Sequence, residues 1–99
     1  MAEVIIHLDA EAEYASALIW YANRSARAAA RFANAFSEVV ENVAQNPVGY
    51  PECDDDHRRC QLRKYPYAIV SRIDGDRVLI VAVPHDRQLP GFWQGRSSP

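Results

Sequence analysis

The pattern of apolar and polar positions along this chain changes its period once, near Arg58. Before that point apolar side chains recur every three or four residues, and after it they alternate or run together. Val4 to Leu8 is a short β-rich run and predicts a first strand. Asp9 is placed to cap a helix, since its carboxylate can accept from free N–H groups of the first turn. Glu11 and Glu13 follow where the helix dipole favours negative charge. Tyr14, Leu18, Tyr21 and Ala22 share helical spacing, as do Ala15 and Ile19, and Trp20 and Tyr21 are expected in the core. Asn23-Arg24-Ser25 interrupts the pattern, and Ser25 can cap a second helix. Its stripe is Ala29, Phe32, Phe36, Val39, Val40 and Val43, and it ends near Gln45 because Pro47 disfavours helix before it. So short a link predicts an antiparallel helical hairpin.

Residues 47–57 hold Pro47, Gly49, Pro51 and the run Asp54-Asp55-Asp56, and they predict a solvated loop. From Arg58 the period is two. Cys60 and Leu62 are expected inward, and Arg59, Gln61 and Arg63 outward. Tyr67 to Ile73 predicts the next strand. Val78 to Val83 is a continuous apolar run, as a central strand covered on both faces requires. Asp74-Gly75 between them favours a tight hairpin turn. The expected fold is a single α+β domain over residues 1–99, ordered β-α-α-β-β-β, with the helical hairpin packed on a mostly antiparallel sheet.

Composition narrows this picture in a few respects. A chain of 99 residues supports one modest core. No apolar run approaches the length needed to cross a bilayer, and the first residues lack the pattern of a secretory signal, so the expected compartment is the cytoplasm. Cys53 and Cys60 are expected as free thiols, and no metal or cofactor is expected. The net charge of −2 conceals a polarity. Residues 1–56 carry three arginines against ten acids, a net of −7, and residues 57–99 carry eight basic residues against three acids, a net of +5. A basic sheet half suits an anionic partner, while the acidic half opposes generic nucleic-acid binding.

The candidate chemistry follows the last strand. An imidazole such as that of His85 can take or give a proton, and Arg87 offers a fork of donors suited to phosphate, so the pair could serve phosphodiester cleavage. The bland alternative is a strand-end turn with local hydrogen bonds. Arg59, Arg63 and Lys64 form a second basic group for phosphate or an acidic partner, with Tyr65 beside it as a surface that can stack. Trp93 and Arg96 are types enriched at binding hot spots, although packing of the tail is the commoner fate of such a Trp.

Taken together these segments resemble the RelE/ParE superfamily of bacterial toxins from type II toxin–antitoxin modules, over nearly the whole chain. The resemblance is carried by the helix reading A-x-R-F-x-x-A-F from Ala29, the Arg58-Arg59 and Leu62-Arg63 segment, the hairpin, and the ending H-D-R-x-x-P-G-F-W-x-x-R from His85. It implies a toxin that inhibits growth when unopposed, stabilises plasmids, and forms a hetero-oligomer with a cognate antitoxin. In the mRNA-cleaving branch an Arg follows the Tyr of the middle strand and an aromatic, usually Tyr, stands near the C-terminus. Here those positions are Ala68 and Trp93, while Arg87 matches a third. The ending is more similar to the ParE-type branch, whose characterised members poison DNA gyrase without cleaving anything. The resemblance therefore implies a gyrase target, with a ribosome–mRNA target, in which His85 and Arg87 would be catalytic, and a degenerate inactive toxin as alternatives.

Overall fold

A computed structural model describes residues 2–96 of the chain. The elements are β1 (Glu3–Ile6), α1 (Leu8–Ala22), α2 (Ala26–Gln45), β2 (Arg58–Gln61), β3 (Ala68–Asp74) and β4 (Arg77–Ala82). They form one mixed sheet in the order β1-β4-β3-β2. β2–β3 and β3–β4 pair antiparallel, and β1 pairs with β4 in parallel. The expected order and fold class hold, with this one parallel pairing. The helical hairpin carries the chain from β1, at one edge, to β2, at the other. β3 and β4 then fill the gap.

Local chemistry explains the boundaries, including those that differ from expectation. β1 stops at Ile6, and the His7 N–H still donates to the Ile80 carbonyl at 2.9 Å. The helix begins at once, so its cap is His7 and not Asp9. His7 Nδ1 accepts from the Asp9 N–H at 3.0 Å, which satisfies one free donor of the first turn. Ser25 caps α2 as expected, its Oγ accepting from the Ala28 N–H at 2.9 Å. The β3–β4 turn is Gly75-Asp76, one residue later than expected. Gly75 has φ 65°, the left-handed geometry that two-residue hairpin loops demand.

β4 is buried along almost its whole length, which divides the core in two. On one face Ile69, Ile80, Val83 and Leu62 pack against Ala10, Ala17, Phe32 and Phe36 of the helices. On the other, Val70, Leu79, Val81 and Ala82 pack against Trp93, with Ile5 and Phe92 at the margin. The alternation of Ile69 with Val70, and of Ile80 with Leu79 and Val81, is the period of two expressed in space.

Phe32 joins the helices to the sheet. Its ring lies 4.7 Å from Tyr21, 5.3 Å from Tyr65 and 5.6 Å from Tyr67, centroid to centroid. Tyr14 adds a contact at 5.8 Å. Trp20, expected in the core, is instead 49% exposed, with the Arg24 guanidinium 4.0 Å from its ring centre. Cys53 and Cys60 are both free thiols, with Cys53 exposed and Cys60 partly buried.

Truncating Phe32 removes a fully buried ring from the middle of this aromatic group. Phe32→Ala is expected to lower stability by about 3–5 kcal/mol, measured by urea unfolding, with folding cooperativity retained.

Candidate functional site

The last strand ends because Pro84 has no N–H to continue the ladder, while its carbonyl still accepts from Ala68 at 3.1 Å. The chain then folds into a tight turn. The His85 N–H donates to Gln88 Oε1 at 2.7 Å, and the Gln88 N–H returns to the His85 carbonyl at 3.0 Å. The Arg87 N–H donates to His85 Nδ1 at 3.0 Å. A ring nitrogen that accepts an N–H carries no proton, so the neutral imidazole of His85 holds its proton on Nε2. Its ring stands edge-on to Tyr67, 5.0 Å between centroids. His85 and Arg87 are thus neighbours through a backbone contact, and the Arg87 side chain is exposed.

A polar clasp binds this turn to the one before β3. Gln61 Nε2 donates to the carbonyls of Tyr67 at 2.8 Å and Tyr65 at 3.0 Å, and reaches Asp86 Oδ2 at 3.3 Å. Arg59 Nη2 donates to Asp86 Oδ1 at 3.1 Å, and the Asp86 N–H donates to the Pro66 carbonyl at 2.8 Å. Arg59 is therefore already paired. β2 ends at Gln61, so Arg63 and Lys64 do not extend a strand-face row with Arg59, as the alternation had suggested. They stand exposed on the following turn. Tyr65 packs at the rim of the core, 5.4 Å from Tyr21.

The tail after this turn serves the fold. Trp93 is only 2% exposed, and its Nε1–H donates to Asp54 Oδ2 at 3.3 Å. Arg96 donates to Glu13 twice, at 3.0 and 3.2 Å, and to the Val81 carbonyl at 2.9 Å. The same Glu13 accepts from the Val83 N–H at 2.8 Å. Trp93 and Arg96 were candidates for partner contact. In this structure the first lies inside the second core and the second closes the tail onto α1 and β4.

Three residues that hold this arrangement do so through contacts that their sequence positions do not announce. The place of Glu13 in the first turns of α1 suggests only a helix-dipole role. Asp54, within a supposedly solvated acidic run, accepts from the N–H groups of Asp56 and His57 at 2.9 Å each and contacts His57 Nδ1 at 2.8 Å. His57 is buried, and its Nε2 is the only buried side-chain nitrogen or oxygen without a hydrogen bond among the described residues. The signal for Asp54 was its spacing of three from His57. No residue type announced Glu13, whose partners lie about seventy and eighty positions away.

Between α1 and the His85 turn runs a groove of about 500 Å³, whose lining includes Asp9, Glu13, Trp20, Tyr67, His85 and Arg96. A smaller slot of about 210 Å³ continues it, between Trp20, Tyr21, Pro66, Tyr67 and His85. Among the described residues no cluster of three or more His, Cys, Asp or Glu side chains is arranged to hold a metal ion.

The sequence model of the family described as ParE toxin of type II toxin-antitoxin system, parDE, matches residues 4–90. No curated protein matches the sequence. Among solved structures, the fold is similar to one titled chromosomal ParDE TA system from P. aeruginosa. The TM-score is 0.62 at 19% identity, covering 86% of this chain and 96% of that one.

Asp54 yields a prediction about acid stability. Burial raises its pKa, but the hydrogen bonds from Asp56, His57 and Trp93 outweigh this and lower it from the ordinary 3.8 to about 2. A depressed carboxylate stabilises the fold above its unfolded value, and that contribution is lost as pH falls through the folded value. Stability should therefore fall as pH drops from 3.8 towards about 2. In Asp54→Asn this component of the pH dependence is expected to be absent, with a loss at neutral pH of about 1–3 kcal/mol. Urea midpoints measured across that range check both.

Proposed function

The chain belongs to the ParE toxin family of type II toxin–antitoxin systems, and on that premise we propose that it is the toxin of such a pair, neutralised by a cognate antitoxin and inhibiting DNA gyrase by binding, without catalysis. The observation that carries the non-catalytic part is the state of His85. A general base needs a free lone pair directed at the proton it takes. The lone pair on Nδ1 is occupied by the Arg87 N–H, and neutral Nε2 bears the proton. His85 can abstract a proton through Nδ1 only by giving up the hydrogen bond from the Arg87 N–H.

The other groups expected of an mRNA-cleaving relative support the same reading. Ala68, where that branch has an Arg, is fully buried, so a charged side chain there would have no route to substrate. Trp93 has no ionisable proton donor and is enclosed. One well-placed charge stabiliser contributes about two to three orders of magnitude to a rate, so the loss of one and the enclosure of another leave little for catalysis. The acidic helical half also opposes docking on ribosomal RNA.

Neutralisation is read as the folding of a disordered antitoxin segment onto this surface, giving a hetero-oligomer in the cytoplasm. No helix among the described residues is long and apolar enough to cross a membrane. A ribosome-dependent nuclease is the second reading. It is favoured by the position of His85, whose ring lines the groove beside Tyr67.

Two assays on the purified full chain separate these. Inhibition of supercoiling with gyrase and relaxed plasmid, together with intact mRNA on ribosomes, is the expected result. Position-specific mRNA cuts that disappear in His85→Ala or Arg87→Ala would overturn it. Silence in both assays points to another target or to a degenerate toxin, and either overturns the gyrase reading.

A further inference from the structure

The two helices of the hairpin meet solvent differently. The outer side of α2 is polar, with Arg31, Asn34, Glu38 and Glu41 exposed. The outer side of α1 is apolar. Leu8, Ala12, Ala15, Ile19 and Ala22 are all exposed there, Leu8 at 65% and Ile19 at 61%. Their spacing of four, three, four and three puts them on one stripe along the helix. The opposite side of α1, with Ala10 and Ala17, is already buried in the domain. A helix that is apolar all round belongs between two surfaces, and α1 has one.

The stripe is complementary to itself. Consider a second copy of α1 laid against it antiparallel, about a two-fold axis at Ala15. Leu8 then meets the partner's Ala22, Ile19 lies beside the partner's Ala12, and Ala15 meets the partner's Ala15. Large side chains fall on small ones along the whole stripe, as close helix packing requires. The charges obey the same symmetry. Asp9 and Trp20 are eleven positions, three turns, apart, so they share a flank, and both line the groove beside α1. The Arg24 guanidinium lies 4.0 Å from the Trp20 ring centre, on that flank. The antiparallel arrangement brings Asp9 of each copy within about one turn of the partner's Arg24. Asp9 also contacts Arg96 Nε at 3.6 Å, yet its side chain is 62% exposed and open to a second cation. An acid at the start of a helix and a cation past its end match a helix of the same order running the other way. A second copy of this chain is such a helix.

We propose that the exposed face of α1 is a homodimer surface. Two copies pair antiparallel through Leu8, Ala12, Ala15 and Ile19, and Asp9 of each faces the partner's Arg24. The proposal stands apart from the toxin reading and does not require it. A 15-residue helix face is about 22 Å long and about 10 Å wide, well below the roughly 800 Å² per partner of a standard interface. The pairing is therefore reversible, with a dissociation constant on the order of 10–100 μM.

Sedimentation equilibrium of the full chain tests this. The average mass should rise from 11.2 kDa towards twice that as concentration passes through about 10–100 μM. Ala15→Glu sets two carboxylates face to face on the axis, at a site exposed in the monomer. It should leave the melting temperature within about 2 °C of the parent's and weaken pairing by about tenfold or more. Asp9→Lys and Arg24→Glu should each weaken pairing about tenfold, since each sets like charges against one another. Mixed in equal amounts they should pair again, because every facing couple is then of opposite sign. Circular dichroism checks the fold of each variant, and Ala15→Glu decides alone if a charge variant unfolds. A mass that stays at 11.2 kDa up to about 1 mM overturns the proposal and leaves the face to a different partner. Pairing unmoved by Ala15→Glu, or folded charge variants that do not recover on mixing, overturns it as well.

Discussion

A strand that is apolar on both sides needs two covers, and β4 imposes this requirement on the whole molecule. Val78, Leu79, Ile80, Val81 and Ala82 are all essentially buried. The helical hairpin supplies one cover through Phe32 and Phe36. The tail, with Trp93 and Phe92, supplies the other. Burying an aromatic side chain of this size contributes roughly 1.5–3 kcal/mol, a large share of the margin available to so small a domain. The polar groups around the tail act in its service. Asp54 satisfies the indole N–H, and Glu13 fixes Arg96 and the first backbone N–H beyond β4.

This requirement redistributes the residues that look chemical in the sequence. An indole and a guanidinium close to the C-terminus suggest a binding surface, yet both are consumed in closing the second core. An imidazole at a strand end suggests a base, yet it holds its own turn. What remains for a partner is the set of groups the fold does not use. These are the cations on the two turns, the stacked Arg24 and Trp20, and the groove beside α1. The clasp of Arg59, Gln61 and Asp86 keeps the two cationic turns together, so their charges act as one surface and not as two mobile loops.

The acidic and basic halves of the chain do not become two separate faces. Arg96, from the basic half, is paired with Glu13 from the acidic half, and Arg58 with Glu52. Part of the polarity seen along the chain is therefore cancelled in ion pairs, which project little field. The outward remainder is concentrated on Arg63, Lys64 and Arg87, which makes the effective basic surface smaller than a count of residues suggests.

By itself the sequence determined the element order, the helical hairpin, the doubly buried strand and the family, because periodicity and capping act over a few residues. The stripe from Phe32 to Val43, the Ser25 cap and the run from Val78 to Val83 were legible for that reason. Tertiary structure alone decided that β1 joins β4 in parallel, since strand partners are chosen by packing across the chain. It also decided the fates of Asp54, Glu13, Trp93 and Arg96, whose meaning lies in partners dozens of residues distant. Trp20 shows the same limit from the other side. Its helical spacing could not say which flank of α1 the sheet would cover, and the sheet covers the flank of Ala10 and Ala17. Hydrophobic pattern specifies which residues need burial, but which surface receives them depends on contacts that form only when the whole domain closes.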